Sequence, residues 1–234
     1  MANREDITDL QAVDFALGGV IAGAYENLAD NGPAAFRRFL KRPVKKKLFL
    51  AKNDDVQSVL RKITAGENDK GEKGPDLPCI VYYREQGITK DQNQAISVIE
   101  ATRFASEESI MGMDKAMRLT TIPVTLTYSM LFLAWDRATI DRMALAWWGY
   151  IAPLFRKHSR FMVPYKLDGE DVEVPASLMS PREALTSSEV VAEDGTRLHG
   201  CRTMVEVNTQ ALYGAAVQVQ DYFSVIQSVR VMER

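Results

Sequence analysis

An alternation of apolar and polar positions between residues 122 and 135 predicts a long β-strand. One face of this strand carries only apolar side chains: Ile122, Val124, Leu126, Tyr128, Met130, Phe132 and Ala134. The opposite face begins with Thr125, Thr127 and Ser129 and becomes apolar from Leu131 to Trp135. A period of two with a continuously apolar face is typical of a strand that a core covers on one side. We therefore expect the first face to be buried throughout, and the second face only near Leu131.

The pattern changes from a period of two to a helical period directly after this strand. Asp136 offers a side-chain N-cap for the first turn, and Pro153 cannot continue a helix beyond the region of Ile151 to Phe155. The apolar positions between them recur at three- and four-residue steps, as in one helical stripe: Ile140, Met143, Ala144, Trp147, Trp148 and Ile151. Residues 121–155 are thus predicted to form a strand–helix unit around which the chain is organised.

The segments before this unit predict two helical regions and two strands. Apolar spacing within residues 7–28 indicates one helix or two short ones, and a short helix follows through Phe36 to Leu40. Val44 to Lys52 is predicted as a strand that leads into a short helix, and Leu77 to Tyr83 as a second, buried strand. Residues 66–75 are glycine-rich and charged, which indicates an exposed loop.

The remaining segments are predicted from weaker patterns. Residues 87–119 are polar and loosely patterned, which suggests an excursion from the core. Phe161 to Tyr165 is expected to be an apolar link, and residues 186–188 a polar connection. Alternation predicts strands over Val172 to Leu178 and over 201–207, with Cys201, Thr203, Val205 and Val207 on the buried side.

Composition limits the class of protein. The chain has 234 residues, of which 46% are hydrophobic and 26% charged, and its net charge is −2. These values are typical of a globular domain and give no global basic field. Met130 to Trp135, the longest apolar run, is too short to span a bilayer, and the polar N-terminus lacks a signal-peptide pattern. Cys79 and Cys201 are expected to be buried free thiols of a reducing cytoplasm rather than a disulfide.

Motifs for catalysis are weak. His158 and His199 have no second ligand at metal-binding spacing, although Cys201 follows His199 by two residues. Asp136 and Asp141 are better explained by helix capping and dipole matching than by acid–base chemistry. Neither a P-loop nor a nucleophile motif is found. We therefore expect neither a cofactor nor enzymatic activity.

The most basic segment of the chain is a candidate interaction site. It contains seven cations, Arg37, Arg38, Lys41, Arg42, Lys45, Lys46 and Lys47. Such a run is commonly a solvated face, and the alternatives are contact with an acidic partner surface or with nucleic acid.

A second candidate is the β-rich C-terminal arm, residues 215–234, with Tyr222, Val225, Ile226 and Val229 as its apolar contacts. Such an arm either adds an edge strand or pairs with another chain.

Four features in sequence order carry a resemblance to a known family. They are the strand-to-helix segment Val44 to Ile63, the Leu77-Pro78 strand, residues 122–155, and the strand pair formed by 172–178 and 196–209. Pro123 to Tyr128, Asp136 to Ile140 and Pro153 to Phe155 stand where this family has its Pro-led strand, acidic helix start and Pro-Phe segment. The chain resembles, over about Val44 to Gly214, the tail sheath stabiliser or tail-terminator (tail-completion) proteins of contractile-tailed bacteriophages.

The resemblance implies an α+β fold in which helices flank a central mixed, largely antiparallel β-sheet with extended loops. We expect a single domain over 1–234, with a helical segment (1–43), a sheet–helix core (44–214) that contains the 87–119 excursion, and the C-terminal arm. The resemblance further implies a hexameric ring that caps tube and sheath at the head-proximal end of the tail and joins them to the neck.

The implied location is the virion, after synthesis in the host cytoplasm. The expected partners are further copies of the chain, the tail tube, sheath and neck proteins, and DNA in passing, without a membrane. The basic segment, the 66–75 loop and the C-terminal arm are the expected contacts with neighbours. Another tail subunit, such as a baseplate wedge or head–tail connector, and a small α/β enzyme with scattered site residues are the alternatives.

Overall fold

A computed structural model describes residues 6–29, 31–51, 77–90, 97–103, 115–151, 159–167, 169–179, 186–191 and 197–218. These residues form three α-helices, α1 (Gln11–Gly23), α2 (Ala34–Lys41) and α3 (Arg137–Ile151). They also form ten β-strands: β1 (Asp6–Ile7), β2 (Leu48–Leu50), β3 (Cys79–Arg84), β4 (Thr89–Lys90), β5 (Ser97–Arg103), β6 (Lys115–Ala134), β7 (Arg160–Leu167), β8 (Glu170–Met179), β9 (Thr186–Val191) and β10 (Arg197–Gln218).

The strands form one mixed sheet. Its main path runs in the order β2-β3-β6-β10-β8-β7, with β4 and β5 paired to β6, and β1 and β9 paired to β10. The β2–β3 pair is parallel, and every other pair within the described strands is antiparallel. The expected α+β class with a mixed sheet is confirmed.

The longest ladder joins β6 to β10. The two strands pair continuously from Lys115 opposite Gln218 to Ala134 opposite His199. β6 is 20 residues long, which at roughly 3.3 Å per residue corresponds to about 65 Å. Strands of globular proteins usually have about 3–10 residues. This ladder forms the centre of the sheet: β1, β3, β4, β5, β8 and β9 each pair with β6 or β10, and β2 and β7 join through β3 and β8.

The two faces of β6 differ as the alternation predicts between Val124 and Ala134, but not at the ends of the predicted pattern. Ile122 is only half-buried, whereas Thr121 and Pro123 on the other face are buried, and Trp135 is 46% exposed although its end of the second face was expected to be covered. Leu126, Tyr128, Met130 and Phe132 are completely buried, and they pack in one cluster with the apolar side chains of all three helices. On the opposite face, Leu133 is buried in a second cluster with side chains of β3 and β10. The first face therefore carries the main core. We call the opposite side of the sheet, on which none of the described helices packs, the open face.

Helix α3 also follows its prediction, with one exception. Asp136 caps it, because its Oδ1 accepts a hydrogen bond of 2.8 Å from the Thr139 N–H. The predicted stripe is buried except for Trp148, which is 38% exposed. Trp147 is completely buried, and adjacent residues of a helix point about 100° apart, so the two cannot share one narrow stripe. The helix is described as far as Ile151, and the predicted break beyond it lies outside the described residues.

The excursion predicted for residues 87–119 is wrong where the structure describes it. Ser97–Arg103 forms β5, and β6 begins at Lys115, so both segments belong to the sheet. Pro123 consequently lies inside β6 instead of near its beginning. It falls between the residues of β6 that pair with β4 (Val124 and Thr125) and those that pair with β5. A missing N–H costs least at such an interruption.

Other polar or short segments are also strands. Arg160–Leu167 is β7 instead of a link, Thr186–Val191 is β9 instead of a polar connection, and β10 continues past residue 214 to Gln218. The strand predicted over Val44 to Lys52 is, in contrast, shorter than expected. Val44–Lys46 forms a 3-10 turn, and the extended residues are Leu48–Leu50. The short helix predicted after residue 52 and the 66–75 loop lie outside the described residues.

Strand β7 carries a proline at the edge of the sheet. The Ser159 carbonyl accepts a bond from the Leu178 N–H, so odd-numbered residues of β7 bond to β8 and even-numbered residues point their backbone groups outward. Pro164 therefore removes a donor from the outer edge, where a proline is tolerated and hinders pairing with another strand.

The cap of α3 allows a stability prediction. Asp136→Ala removes the acceptor for the Thr139 amide and should lower the free energy of unfolding by about 1 kcal/mol, as for other lost N-caps. Asp136→Asn keeps a capping oxygen and should cost much less. Urea denaturation of both variants measures the difference, and equal losses would show that the cap does not stabilise this helix.

The edge proline allows a second prediction. Pro164→Thr restores an outward N–H and should increase association beyond that of the wild-type protein, measured by sedimentation over a concentration series. Pro175→Thr is the matched control, because Pro175 lies on β8 opposite Met162 and its backbone nitrogen points away from β7. Association that rises equally in both variants would refute a protective role for Pro164.

Candidate functional site

The basic segment folds into α2, the 3-10 turn and the residue before β2. Arg37, Arg38, Lys41, Lys45 and Lys46 are exposed. On α2, Lys41 lies one helical turn from both Arg37 and Arg38, so these side chains share one side of the helix. We call these five residues the basic platform.

The other two cations have structural contacts. The Arg42 guanidinium donates to the carbonyl oxygens of Leu77 at 2.8 Å and Pro78 at 3.1 Å, which ties the segment to the start of β3. Lys47 is only 5% exposed. Its Nζ donates to the Leu40 carbonyl at 3.4 Å and lies 5.4 Å from the centre of the Phe39 ring. Burial lowers the pKa of Lys47, an effect that the charge of Glu26 partly offsets. Lys47 is therefore not a surface contact in this structure.

Aromatic packing fixes α2 beneath the platform. Phe36 and Phe39 are buried and stack with ring centres 6.3 Å apart, and Tyr25 meets Phe39 edge-on at 5.2 Å. The Tyr25 hydroxyl donates to the Met143 carbonyl at 2.8 Å, which links this packing to α3. The platform is therefore attached to the core by side chains that solvent does not reach.

Most of the platform charge is not neutralised locally. Within the described part of the chain, no carboxylate lies within ion-pair distance of Arg37, Arg38, Lys45 or Lys46. The described carboxylates that do form ion pairs do so elsewhere, for example Glu85 with Arg202. The platform thus combines exposure with unpaired positive charge.

A buried polar cluster connects α1 to the sheet. The Tyr128 hydroxyl donates to Asp14 Oδ1 at 2.6 Å, and the Tyr82 hydroxyl donates to the Asp14 carbonyl at 3.0 Å. Arg84 Nε lies 3.7 Å from the same Oδ1. Asp14 is 6% exposed. The sequence offered one signal for this cluster, a carboxylate directly after Val13 within the apolar stripe of α1.

The protonation equilibria of the cluster follow from burial. Burial raises the pKa of Asp14, and the Tyr128 hydrogen bond and the Arg84 charge partly offset this rise. Burial and the neighbouring Asp14 carboxylate raise the pKa of Tyr82 to about 12 and also raise the pKa of Tyr128. Both hydroxyls therefore remain donors at neutral pH. Because the carboxylate is buried, the cluster holds α1 in place and is not placed to meet a substrate.

A second polar cluster lies on the open face. Ser129 Oγ donates to Glu85 Oε1 at 2.5 Å, and Arg202 Nη2 donates to Glu85 Oε1 at 3.0 Å and to Ser129 Oγ at 2.7 Å. Ser129 is only 1% exposed. The cluster contains no histidine that could act as a base toward the serine. The cluster therefore links β6 and β10 to Glu85, the residue after β3, and does not form a nucleophile site. Sequence reasoning identified neither Glu85 nor Arg202.

A groove opens on the sheet where β8 separates from β10, since these strands pair only at Ser177–Met179. Its volume is about 450 Å³, and Arg160, Met162 and Asn208 contribute to its lining. Arg160 is the one ionisable side chain among the described residues that line it. The groove can accept a side chain or a short segment of a partner, but it brings no two ionisable groups together.

The remaining candidates have mixed outcomes. Cys79 and Cys201 are free and buried, as predicted, and burial raises the pKa of Cys79 to about 12. No group of three potential metal ligands forms within the described residues. No helix in that part of the chain is long and apolar enough to cross a membrane. His158 and the arm residues Tyr222, Val225, Ile226 and Val229 lie outside the described residues.

No protein-family model matches the chain, and no curated protein is significantly similar to it.

The buried cluster makes a pH-dependent prediction. The pKa of Asp14 is higher in the folded than in the unfolded protein, so the stability linked to its protonated form is fully present below about pH 3.8 and is lost as pH rises through the folded-state value. Asp14→Asn removes this titration and keeps an acceptor for Tyr128. The free energy of unfolding of the wild type, relative to this variant, should therefore rise as pH falls from 7 towards 4.

Urea denaturation at several pH values measures this difference. Asp141→Asn, at an exposed position on α3, is the control, and its difference from wild type should change less with pH. Asp14→Ala should cost about 1–3 kcal/mol more than Asp14→Asn at all these pH values, because it leaves the buried Tyr128 hydroxyl without its acceptor. A difference between wild type and Asp14→Asn that is independent of pH would contradict the assignment.

Proposed function

We propose that the chain is a structural subunit of a contractile phage tail, a ring-forming terminator or sheath stabiliser at the head-proximal end. In this role it caps tube and sheath and joins them to the neck. The order of the sequence features in residues 44–214 supports this class. The mixed sheet with its helices packed on one face is compatible with it.

The observation that carries the proposal is the ladder between β6 and β10. A compact catalytic core does not require a strand of 20 residues. A ring subunit benefits from one, because a continuous ladder is a stiff support for the surfaces that meet its neighbours. β1 and β5 pair with the same end of this ladder, at Gly214 and at Thr121 respectively, and broaden it.

A closed ring also needs two different surfaces on each subunit, because its interfaces are heterologous. One such surface is the open face with its groove. Met162 and Met179 are 48% and 38% exposed on that face, and methionine adapts well to a partner surface. The C-terminal arm supplies the second contact.

The nearest alternative is another structural part of the same tail, such as a baseplate wedge or a head–tail connector. Related folds serve several positions in such machines, so fold alone does not distinguish them. The enzyme alternative gains nothing from the described polar clusters, because Asp14 and Ser129 are both buried and the groove brings no two ionisable groups together.

The arm makes the proposal testable. The full chain should sediment as a closed oligomer with sixfold mass at high concentration. A chain that ends at Gln218 should remain monomeric, because it lacks residues 219–234 of the arm. Ala215 to Gln218 are kept in this truncation because they belong to β10, so the ladder remains intact.

The second variant keeps the full chain length and replaces four residues of the arm with serine: Tyr222, Val225, Ile226 and Val229. It should also fail to assemble, with an unchanged melting temperature and circular dichroism spectrum. Assembly by both altered chains would exclude the arm from the interface. An open filament or a dimer from the full chain would contradict the ring.

A further inference from the structure

We propose that the basic platform, Arg37, Arg38, Lys41, Lys45 and Lys46, binds the phosphate backbone of duplex DNA without regard to base sequence. This inference concerns a different surface and a different partner from the arm-mediated assembly proposed above, and it stands without it.

The first argument is preorganisation. Two of the seven cations in the segment contact the protein interior. Arg42 donates to the Leu77 and Pro78 carbonyls, and Lys47 is buried beside Leu40 and Phe39. These contacts fix the turn between α2 and β2 from both sides. The exposed cations on either side of the turn are therefore held in a defined relative position before any partner arrives, which lowers the entropic cost of binding.

The second argument is uncompensated charge. Residues 37–47 contain seven cations and no carboxylate, although the whole chain has a net charge of −2. Arg37, Arg38, Lys45 and Lys46 have no ion-pair partner in the described part of the chain. A local field of one sign on an otherwise balanced protein attracts a polyanion to this surface in particular.

The third argument distinguishes DNA from an acidic protein. Protein interfaces have apolar or aromatic centres, and lysine is depleted there. Three of the five platform residues are lysines, and the aromatic residues of the segment, Phe36 and Phe39, are buried beneath it. Val44, at 40% exposure, is the large apolar side chain exposed within this segment. Cations without an apolar anchor suit phosphate oxygens, which are contacted by charge and carry no direct sequence information.

The test is fluorescence anisotropy of a short labelled duplex titrated with the full chain between 50 and 200 mM NaCl. Each neutralised phosphate contributes about −0.9 to the slope of log affinity against log salt. Arg37→Gln/Arg38→Gln and Lys45→Gln/Lys46→Gln should therefore each flatten the slope by about 1.8, and the four changes combined by about 3.6. At the lowest salt the fourfold variant should bind at least about 100-fold more weakly than wild type.

Lys166→Gln is the control, because it removes an exposed cation from β7, outside the platform and outside the lining of the groove. It should leave the slope unchanged. Arg37→Lys/Arg38→Lys keeps the charge and should retain the wild-type slope. Two duplexes of different sequence should bind with equal affinity.

Three results would overturn the inference. The first is a slope that the platform variants do not change, and the second is an equal loss in the β7 control, which would indicate diffuse attraction. The third is unchanged DNA binding by platform variants that no longer assemble, which would assign the platform to an acidic protein surface. Melting temperatures equal to that of the wild type establish that each variant is folded.

Discussion

The fold depends on the continuous pairing of β6 with β10. Backbone groups of 20 residues of β6 are matched to β10 in one register, and a shift by a single residue would exchange the two faces of both strands. This register places Tyr128 opposite Val205 and Phe132 opposite Cys201, so that one side of the sheet is apolar along the region that the helices cover. Helix α3 and the second cluster near Leu133 pack against this ladder, and β1, β4, β5 and β9 pair with it directly.

Buried charged groups have hydrogen-bond or charge partners in this structure, whereas most charges of the basic platform have none among the residues described. The buried Asp14 carboxylate is stabilised by the Tyr128 hydroxyl and by Arg84, and Lys47 by the Leu40 carbonyl and the Phe39 ring. These contacts offset part of the cost of burying charge. On the platform, in contrast, four of the cations have no ion-pair partner within the described residues. A surface that carries uncompensated charge on a rigid support has the properties of a binding surface.

The elements that could be predicted from the sequence are those with a strong local signal. The apolar face of β6, the Asp136 cap and the stripe of α3 are encoded within about 30 neighbouring residues. β5, β7 and β9 each pair with the next strand of the chain, so their pairing is local, and they were missed because their own side-chain patterns are weak. Thr186, Ser187 and Ser188 of β9 are polar, and Pro164 interrupts the pattern of β7. The basic segment was found from its charge, but the inward contacts of Arg42 and Lys47 were not, because they depend on partners such as Leu77 that are distant in sequence. The clusters around Asp14 and Ser129 were missed for the same reason.

The central claim, that the chain builds a ring at the head-proximal end of a tail, is tested most directly by locating the protein in virions. Gold-labelled antibodies against the chain, viewed by negative-stain electron microscopy, should mark the junction between tail and neck. Released particles should show a sixfold ring with a central channel. Label at the baseplate would assign the chain to another tail subunit, and the absence of label from virions would contradict the account as a whole.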